Sequence, residues 1–394
     1  MLTSPVVRSG LDVLRDEGFK RLAGKRLGLL VHPPSVDGRF THAVSLFRNA
    51  GGFELVRLFG PQHGIRGETQ DNMIEWEGFK DPATGVEVCS LYGQHRKPTP
   101  AMLSGIDALV IDMQDVGARP YTFNWTMLLC MQACAEQGVE VVVLDRPNPV
   151  APLGVEGPLL DMEYKSFVGL APVPMMHRLT VGELAVFCDQ RLKVAADLDV
   201  VWMSGYKRSL WFEESGLPWV FPSPNLPTIE SCLVYPGFVL FEATNLSEGR
   251  GTTRPFEVFG APFIDPDALV RVLEDWNLPG VLFRPMHFQP TFHKWGGKVC
   301  GGAQVHVLDK ASLKPMLTAT AVLCAVRELW PEDFAWKQPP YEYEAAKLPI
   351  DILAGGPGLR EAVDGGESPH SIAASWGADE KSFREASAGS LHYD

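Results

Sequence analysis

In the first 205 residues, short apolar runs alternate with longer segments in which apolar residues recur at the spacing of an α-helix. The apolar runs predict strands at 26–31, 53–59, 87–91, 108–112, 139–144 and 200–203, and the segments between them predict helices at 41–49, 121–137 and 180–192. The last helix begins with Thr180 and Glu183, which have the spacing of a capping box. Strands rich in valine and leucine, separated by helices, are typical of a parallel sheet that helices cover on both faces. The pattern therefore predicts an α/β fold with a Rossmann-like N-terminal domain.

The rest of the chain predicts a smaller C-terminal α/β domain. Residues 206–240 are rich in proline and aromatic residues, and we expect them to pack between the domains. Further strands are predicted at 239–243, 281–285 and 305–308, and further helices at 265–276, 312–329, 341–354, 368–376 and 380–386. We expect an N-terminal domain over residues 1–235 and a C-terminal domain over residues 236–394 that closes a cleft. No G-x-G-x-x-G motif follows the first strand, so a dinucleotide site is not indicated.

Charge and cysteine content narrow the class of protein. The 35 Lys and Arg against 48 Asp and Glu leave a net charge of −13, which argues against nucleic-acid binding because phosphate neutralisation needs a basic surface. The seven cysteines form no C-x-x-C pair, so we expect buried thiols in a reducing compartment. We find no apolar core of a signal peptide near the N-terminus and no run of about 18 apolar residues. We therefore expect a cytoplasmic protein without a membrane span.

Polar clusters follow several predicted strands at the point where each strand ends. They occupy residues 60–68, 112–121, 145–149 and 244–255. Each cluster combines carboxylate, guanidinium and amide side chains, and glycines in them let a ligand approach the backbone. Ligands of open parallel sheets bind beyond the carboxyl ends of the strands. The clusters therefore predict one binding site at this edge of the sheet, although each of them alone is also consistent with helix capping and loop ion pairs.

Seven ordered motifs carry a resemblance to a known family. They are GPQHGIRGE, TGVEVCSLYG with RKPTP, DMQDVGARPYTF, VLDRPNP, VEGPLLD with SFVG, HRLTVGELA and TNLSEGRGTTRPFE. With these motifs, the sequence resembles the exo-β-N-acetylmuramidases of the NamZ type, formerly a domain of unknown function, over residues 10 to 390. The resemblance implies a glycoside hydrolase that removes terminal β-linked N-acetylmuramic acid from the non-reducing end of peptidoglycan fragments. It also implies an active site in the cleft between a Rossmann-like domain and a smaller domain.

The sequence has no glutamate at the position where the resemblance implies the catalytic acid. Glycosidic cleavage ordinarily uses one carboxylic acid as proton donor and a second carboxylate as nucleophile or base. Gln62 stands where many relatives have a glutamate, which is the favoured catalytic carboxylate of the family, and an amide cannot donate a catalytic proton. Glu68 and Asp115 are therefore our candidates for proton transfer, with Glu248 as the partner carboxylate. Alternatively, the acetamido oxygen of the substrate replaces the protein nucleophile, which still leaves the need for an acid.

The chemical groups of the expected substrate indicate which residues bind it. Muramic acid carries a lactyl carboxylate, which a guanidinium can hold with two hydrogen bonds. The candidates for this contact are Arg66, Arg119, Arg250 and Arg254. The candidates for hydrogen bonds to the sugar are Gln62, His63, Tyr121 and Asn245, and Trp76 is the aromatic residue most suited to stacking on it.

Several readings stay open at this point. Because no ligand cluster has suitable spacing, we expect neither a metal nor an organic cofactor. The expected partner is a small sugar or muropeptide, and the oligomeric state is not indicated. Gln62 also allows a protein that binds or senses muropeptides without cleaving them. A weaker alternative is an amidase that acts on the lactyl-peptide arm.

Overall fold

The computed structural model describes residues 7–71 and 73–394. Its strands are β1 (Arg26–Val31), β2 (Glu54–Gly60), β3 (Phe79–Lys80), β4 (Glu87–Ser90), β5 (Ala108–Asp112), β6 (Glu140–Leu144), β7 (Glu156–Leu159), β8 (Pro174–Met176), β9 (Leu198–Val201), β10 (Val258–Ala261), β11 (Val281–Phe288) and β12 (Cys300–Val307). Its α-helices are α1 (Gly10–Asp16), α2 (Ala43–Asn49), α3 (Pro100–Leu103), α4 (Phe123–Gln137), α5 (Val181–Leu192), α6 (Ile229–Phe238), α7 (Pro266–Asp275), α8 (Pro315–Leu329), α9 (Pro349–Ala354), α10 (Gly358–Asp364), α11 (Pro369–Ser375) and α12 (Gly377–Ser387).

A seven-stranded sheet in the order β3-β4-β2-β1-β5-β6-β9 forms the centre of the N-terminal half. Its pairs are parallel except for the short edge strand β3, which runs antiparallel to β4. Alternate residues of β5 enter two different apolar clusters: Leu109 and Ile111 pack into one, Ala108 and Val110 into the other. Both faces of the sheet are therefore buried, and the predicted α/β class with a Rossmann-like sheet is confirmed.

The order of the strands reverses at β1, which pairs with β2 on one side and with β5 on the other. Such a reversal leaves a crevice at the carboxyl ends of the strands, because the two crossover connections leave in opposite directions. The loops that follow β2 and β5 flank this crevice. They carry Gln62 and His63 on one side and Tyr121 on the other.

The C-terminal half is smaller and has an antiparallel sheet in the order β10-β12-β11. Along β11, Val281 and Phe283 are buried, whereas Leu282 and Arg284 are exposed. Helix α7 contacts β11 and β12, so the buried residues face this helix and the alternate residues face solvent. The predicted boundary between residues 235 and 236 falls within α6, and its position stays a prediction.

Two segments of the C-terminal half differ from the prediction. Residues 239–243 form a 3₁₀ helix that continues α6 instead of a strand. The whole run from Ser231 to Ala243 is buried, and periodicity alone cannot distinguish a buried strand from a buried helix. In the segment 341–354, only Pro349–Ala354 is helical, because Glu342 and Tyr343 have positive φ angles and Pro349 disfavours helical geometry at the residue before it.

The expectation of buried thiols is confirmed, since the seven cysteines are buried and unpaired. Within residues 7–71 and 73–394, no helix is long and apolar enough to cross a bilayer.

Candidate active site

A cavity lies between the carboxyl edge of the central sheet and the C-terminal half. It encloses about 440 Å³ of space between atoms, its opening to solvent included. Its lining residues are Gln62, His63, Pro120, Tyr121, Thr122, Phe123, Val168, Ser223, Leu226, Tyr235, Val239, Glu242, Arg250, Phe256, Tyr341 and Glu342. Loops from both halves of the chain therefore meet around one space.

Glu342 is the carboxyl group of this cavity that is suited to carry a proton. Its side chain is 4% exposed, and its Oε2 accepts a 2.9 Å hydrogen bond from the Tyr92 hydroxyl. Burial raises the pKa of Glu342 to about 7, and the charge of Glu242 acts in the same direction. Hydrogen bonds from Tyr92 and Gln62 oppose this rise because they favour the carboxylate. A large fraction of the group is therefore protonated near neutral pH, which is what a general acid needs.

Gln62 lies beside this acid and is held by hydrogen bonds on both sides. Its Oε1 accepts from the Thr122 hydroxyl at 2.6 Å, and its Nε2 donates to the Tyr92 hydroxyl at 3.2 Å. The amide also bonds to the carboxyl group of Glu342. Gln62 therefore lines the cavity, as a binding residue should, and it orients groups around the acid without being one.

Arg250 presents an available guanidinium nitrogen in the cavity. Its Nη2 donates to Oε1 of Glu242 at 2.6 Å, and its Nε lies 3.2 Å from Oε1 of Glu248. Its Nη1 is buried and has no hydrogen-bond partner among the described residues. Two carboxylates thus fix the guanidinium plane and leave one edge for a ligand. The second oxygen of Glu242 accepts a 2.6 Å hydrogen bond from Tyr341.

Glu248, the predicted partner carboxylate, lies behind Arg250 and does not line the cavity. It is fully buried and pairs with Lys294 at 2.7 Å and with His293 at 3.3 Å, in addition to Arg250. Burial alone would raise the pKa of Glu248, but its pairing with Lys294, His293 and Arg250 outweighs burial and holds this pKa far below its usual range. Glu248 therefore stays ionised and positions Arg250.

His63 and Tyr121 are the two sugar-binding candidates that line the cavity along with Gln62. Burial lowers the pKa of His63 to about 4, so the ring is neutral near pH 7. Nδ1 of His63 lies 2.7 Å from the carbonyl of Thr69 and must donate to it, so Nε2 accepts from the Ser223 hydroxyl at 3.1 Å. The Tyr121 hydroxyl is buried and has no partner among the described residues, so it is available to a ligand.

Four of the predicted residues lie outside the cavity because their side chains turn towards solvent or the protein surface. Glu68, the first candidate for proton transfer, is exposed. Arg66 lies over the Phe79 ring, and Arg254 pairs with Glu257 at 3.3 Å. Asn245 donates from Nδ2 to the backbone carbonyl of residue 333 and accepts from the amide of residue 335.

Asp115 and Arg119 are buried but have structural partners. Oδ1 of Asp115 accepts from the Asn124 side chain at 2.8 Å, and Oδ2 accepts from the backbone amide of Gly117 at 2.9 Å. The Arg119 guanidinium donates to three backbone carbonyls, those of residues 158, 173 and 353, so it joins the two halves of the chain. Burial lowers the pKa of Arg119 to about 9. Neither side chain lines the cavity, and neither does that of Trp76, which donates to the carbonyl of residue 61.

The two cavity carboxylates, Glu242 and Glu342, were not among the predicted residues. Each had a weak signal in the sequence. Glu242 follows ten uncharged, mostly apolar residues that begin at position 232, and charged residues in such runs are rarely buried without a partner. Glu342 lies between two tyrosines in a segment that the periodicity assigned to a helix.

Comparison with known proteins decides the family. Residues 27–230 match the family model described as "Exo-beta-N-acetylmuramidase NamZ, N-terminal", and residues 233–393 match the corresponding C-terminal model. The chain belongs to the exo-β-N-acetylmuramidase NamZ family. The recognition made from the sequence motifs is thus confirmed.

Relatives of the NamZ family cover nearly the whole chain. The "Peptidoglycan beta-N-acetylmuramidase NamZ" of Bacillus subtilis (strain 168) is 43% identical over 368 residues, which are 93% of this chain and 87% of that protein. A crystal structure of a DUF1343 family protein from Bacteroides fragilis NCTC 9343 has a TM-score of 0.89 at 34% identity and covers 100% of both chains. A second DUF1343 structure from the same organism has a TM-score of 0.76 at 29% identity and covers 98% of this chain and 99% of its own.

Proposed function

We propose that this protein is an exo-acting glycosidase that releases terminal β-linked N-acetylmuramic acid from peptidoglycan fragments, with Glu342 as the general acid. Membership of the NamZ family supports the reaction class, and the name of the Bacillus subtilis relative supports the substrate. The assignment of the acid depends on one observation: a buried carboxyl with a pKa of about 7 lies beside Gln62 in the cavity.

The proton of Glu342 goes to the glycosidic oxygen as the bond from that oxygen to the anomeric carbon breaks. The electron pair of the bond stays with the oxygen, and the leaving sugar departs as an alcohol. Glu242 is the second carboxylate of the cavity and pairs with Arg250, and we assign it to stabilise positive charge on the anomeric carbon. Water then adds to that carbon and transfers one proton to the Glu342 carboxylate, which restores the acid. The acetamido oxygen of the substrate stays an alternative to Glu242 as the first nucleophile.

The unpaired Nη1 of Arg250 supplies the contact that recognises muramic acid. A lactyl carboxylate at this nitrogen forms a charge-assisted hydrogen bond in a buried site, where such bonds are strong. The Tyr121 hydroxyl is suited to bind an uncharged group of the same sugar. The neutral His63 ring, whose two nitrogens are bonded within the protein, forms part of the cavity wall. Because these groups converge on one cavity, we place the terminal sugar there and the rest of the glycan outside it.

We also propose that the protein acts in the cytoplasm. Its seven cysteines are free and buried, which supports a reducing compartment. The substrate there is a muropeptide-derived sugar, and the net charge of −13 favours a small ligand over a nucleic acid.

The experiment uses a β-N-acetylmuraminide with a chromogenic aglycone and two matched variants. Glu342→Gln removes the proton donor from the cavity, and we expect kcat to fall by about 100-fold or more. Glu68→Gln makes the same change at an exposed glutamate outside the cavity, and we expect no change in rate. If the Glu68 variant were the inactive one and the Glu342 variant retained full activity, the assignment of the acid would be wrong.

A binding protein without turnover is the second candidate, and Gln62 is the observation that favours it, because it stands at the position of the family's usual glutamate. The same substrate separates the two functions. Saturable binding of the sugar with no release of the aglycone at any pH between 5 and 8 would identify the binding protein. Release that depends on Glu342 would identify the enzyme.

A further inference from the structure

An open groove lies on the solvent side of the C-terminal sheet, next to the cavity. Its floor is formed by Arg284, Met286 and Phe288, which are alternate residues of β11 on the face opposite α7. Its wall is formed by the turn 251–254. We call this surface, formed by these three side chains and the turn, the outer groove.

The outer groove is continuous with the loops that form the cavity. Arg250 lines the cavity, and Gly251, the next residue, lines the groove. Thr291, from the opposite side of the groove, donates to the carbonyl of Gly251 from its amide at 2.9 Å and from its hydroxyl at 3.0 Å. A ligand that extends from the cavity past this loop therefore contacts the outer groove, whose two sides are joined by these hydrogen bonds.

The charge of the outer groove is opposite to that of the protein as a whole. Arg254 and Arg284 line it, and no described lining residue is acidic, although the chain has a net charge of −13. Arg254 is paired with Glu257. Arg284 is exposed and contacts Oε1 of Gln304 at 3.3 Å, but no ion pair to it is found among the described residues. Its uncompensated charge is complementary to a carboxylate.

We infer that the outer groove binds the leaving part of a longer glycan, with Arg284 at the lactyl carboxylate of the next muramic acid in the chain. The inference rests on the proposed function, which places the terminal sugar in the cavity. In a glycan that alternates glucosamine and muramic acid, the next lactyl carboxylate lies two sugars away, outside the cavity. Met286 and Phe288 beside Arg284 offer apolar surface on which the intervening sugar packs.

The test compares a disaccharide of N-acetylmuramic acid and N-acetylglucosamine with the tetrasaccharide that repeats it. For Arg284→Gln, we expect KM for the tetrasaccharide to rise about tenfold, the value of one charge-assisted hydrogen bond at an exposed site. KM for the disaccharide should not change. Arg271→Gln, at an exposed arginine of α7 on the other side of the sheet, is the matched control and should leave both values unchanged.

A second pair of glycans tests the ligand group. A tetrasaccharide whose internal lactyl carboxyl is converted to an amide should bind wild-type protein as weakly as the natural tetrasaccharide binds Arg284→Gln. Equal KM values for the natural and amidated tetrasaccharides on wild-type protein would overturn the assignment of the carboxylate. Equal tetrasaccharide KM values for wild-type protein and Arg284→Gln would show that the outer groove does not bind the glycan through Arg284.

Calorimetric binding keeps this inference separate from the proposed function. Both glycans are titrated into Glu342→Gln protein, with and without Arg284→Gln, so no turnover is needed. A tetrasaccharide affinity that drops about tenfold with the Arg284 change supports the groove even if wild-type protein cleaves neither glycan. If the proposed function is wrong, wild-type protein forms no product from either glycan. If the outer groove does not bind the glycan, the tetrasaccharide affinity is the same with and without Arg284→Gln.

Discussion

The Tyr92 hydroxyl donates a 2.9 Å hydrogen bond to Oε2 of Glu342, a residue 250 positions further along the chain. Tyr92 follows β4 in the N-terminal half, whereas Glu342 precedes α9 in the C-terminal half. The same phenol accepts a hydrogen bond from Gln62. The protonation of Glu342 is therefore controlled by residues of the other half of the molecule, and an acid of the correct pKa exists only when the two halves are together.

Removal of the Tyr92 hydroxyl should move the pH dependence of activity to higher pH. The hydrogen bond favours the carboxylate form of Glu342, so Tyr92→Phe raises its pKa above about 7. The protonated form is the active one, and activity falls as pH rises through this pKa. We expect the descending limb of kcat/KM against pH to shift upward. Tyr206→Phe, at a buried tyrosine outside the cavity, should not shift it. A downward shift for Tyr92→Phe would contradict the role of Glu342.

A glutamate at position 62 should also raise the pKa of Glu342. Gln62→Glu exchanges an amide that donates to Glu342 for a second carboxyl, and two adjacent carboxyls cannot both ionise easily. We expect the descending limb of the kcat/KM profile to move up by about one pH unit or more, with activity retained. Loss of activity in a folded Gln62→Glu protein would show instead that the amide itself is required for the reaction.

Arg250→Lys should weaken the recognition of the lactyl group. A lysine cannot bridge Glu242 and Glu248 and still offer a fixed donor edge, so kcat/KM for a muramic acid glycoside should fall by about 10- to 100-fold. The glucosamine analogue, which lacks the lactyl group, should lose much less. The ratio of the two kcat/KM values is the measurement. Arg254→Lys, outside the cavity, should keep this ratio, and an equal loss on both glycosides for Arg250→Lys would move the lactyl contact elsewhere.

Arg119→Met should lower stability without changing substrate recognition. The substitution leaves three carbonyls without their donor, one of them at Leu353 in the other half of the chain. Two of these hydrogen bonds are buried and the third is partly buried. We expect the free energy of unfolding to fall by about 2–4 kcal/mol, measured by urea denaturation. KM of the folded protein should stay the same. A raised KM at unchanged stability would instead support Arg119 as the carboxylate-binding residue.

Much of the fold was evident in local sequence. The strands β1 and β5 have the predicted bounds, and the capping box of Thr180 and Glu183 is present at the start of α5. Both predictions depend on neighbouring residues only: an apolar run identifies each strand, and a single turn contains the whole capping box. The 3₁₀ helix at 239–243 was missed for the same reason, since a fully buried run has no exposed face to reveal its period.

The sequence by itself determined the family, the parallel sheet and the loops in which Gln62, His63, Tyr121 and Arg250 lie. Only the tertiary structure led to the proposal of Glu342, rather than Glu68, as the proton donor. Glu68 and Glu342 are the same residue type, but one is exposed to water and the other is buried against Tyr92. The free energy of ionisation depends on that difference in solvation and on partners brought from distant parts of the chain, and neither is encoded in the neighbouring residues.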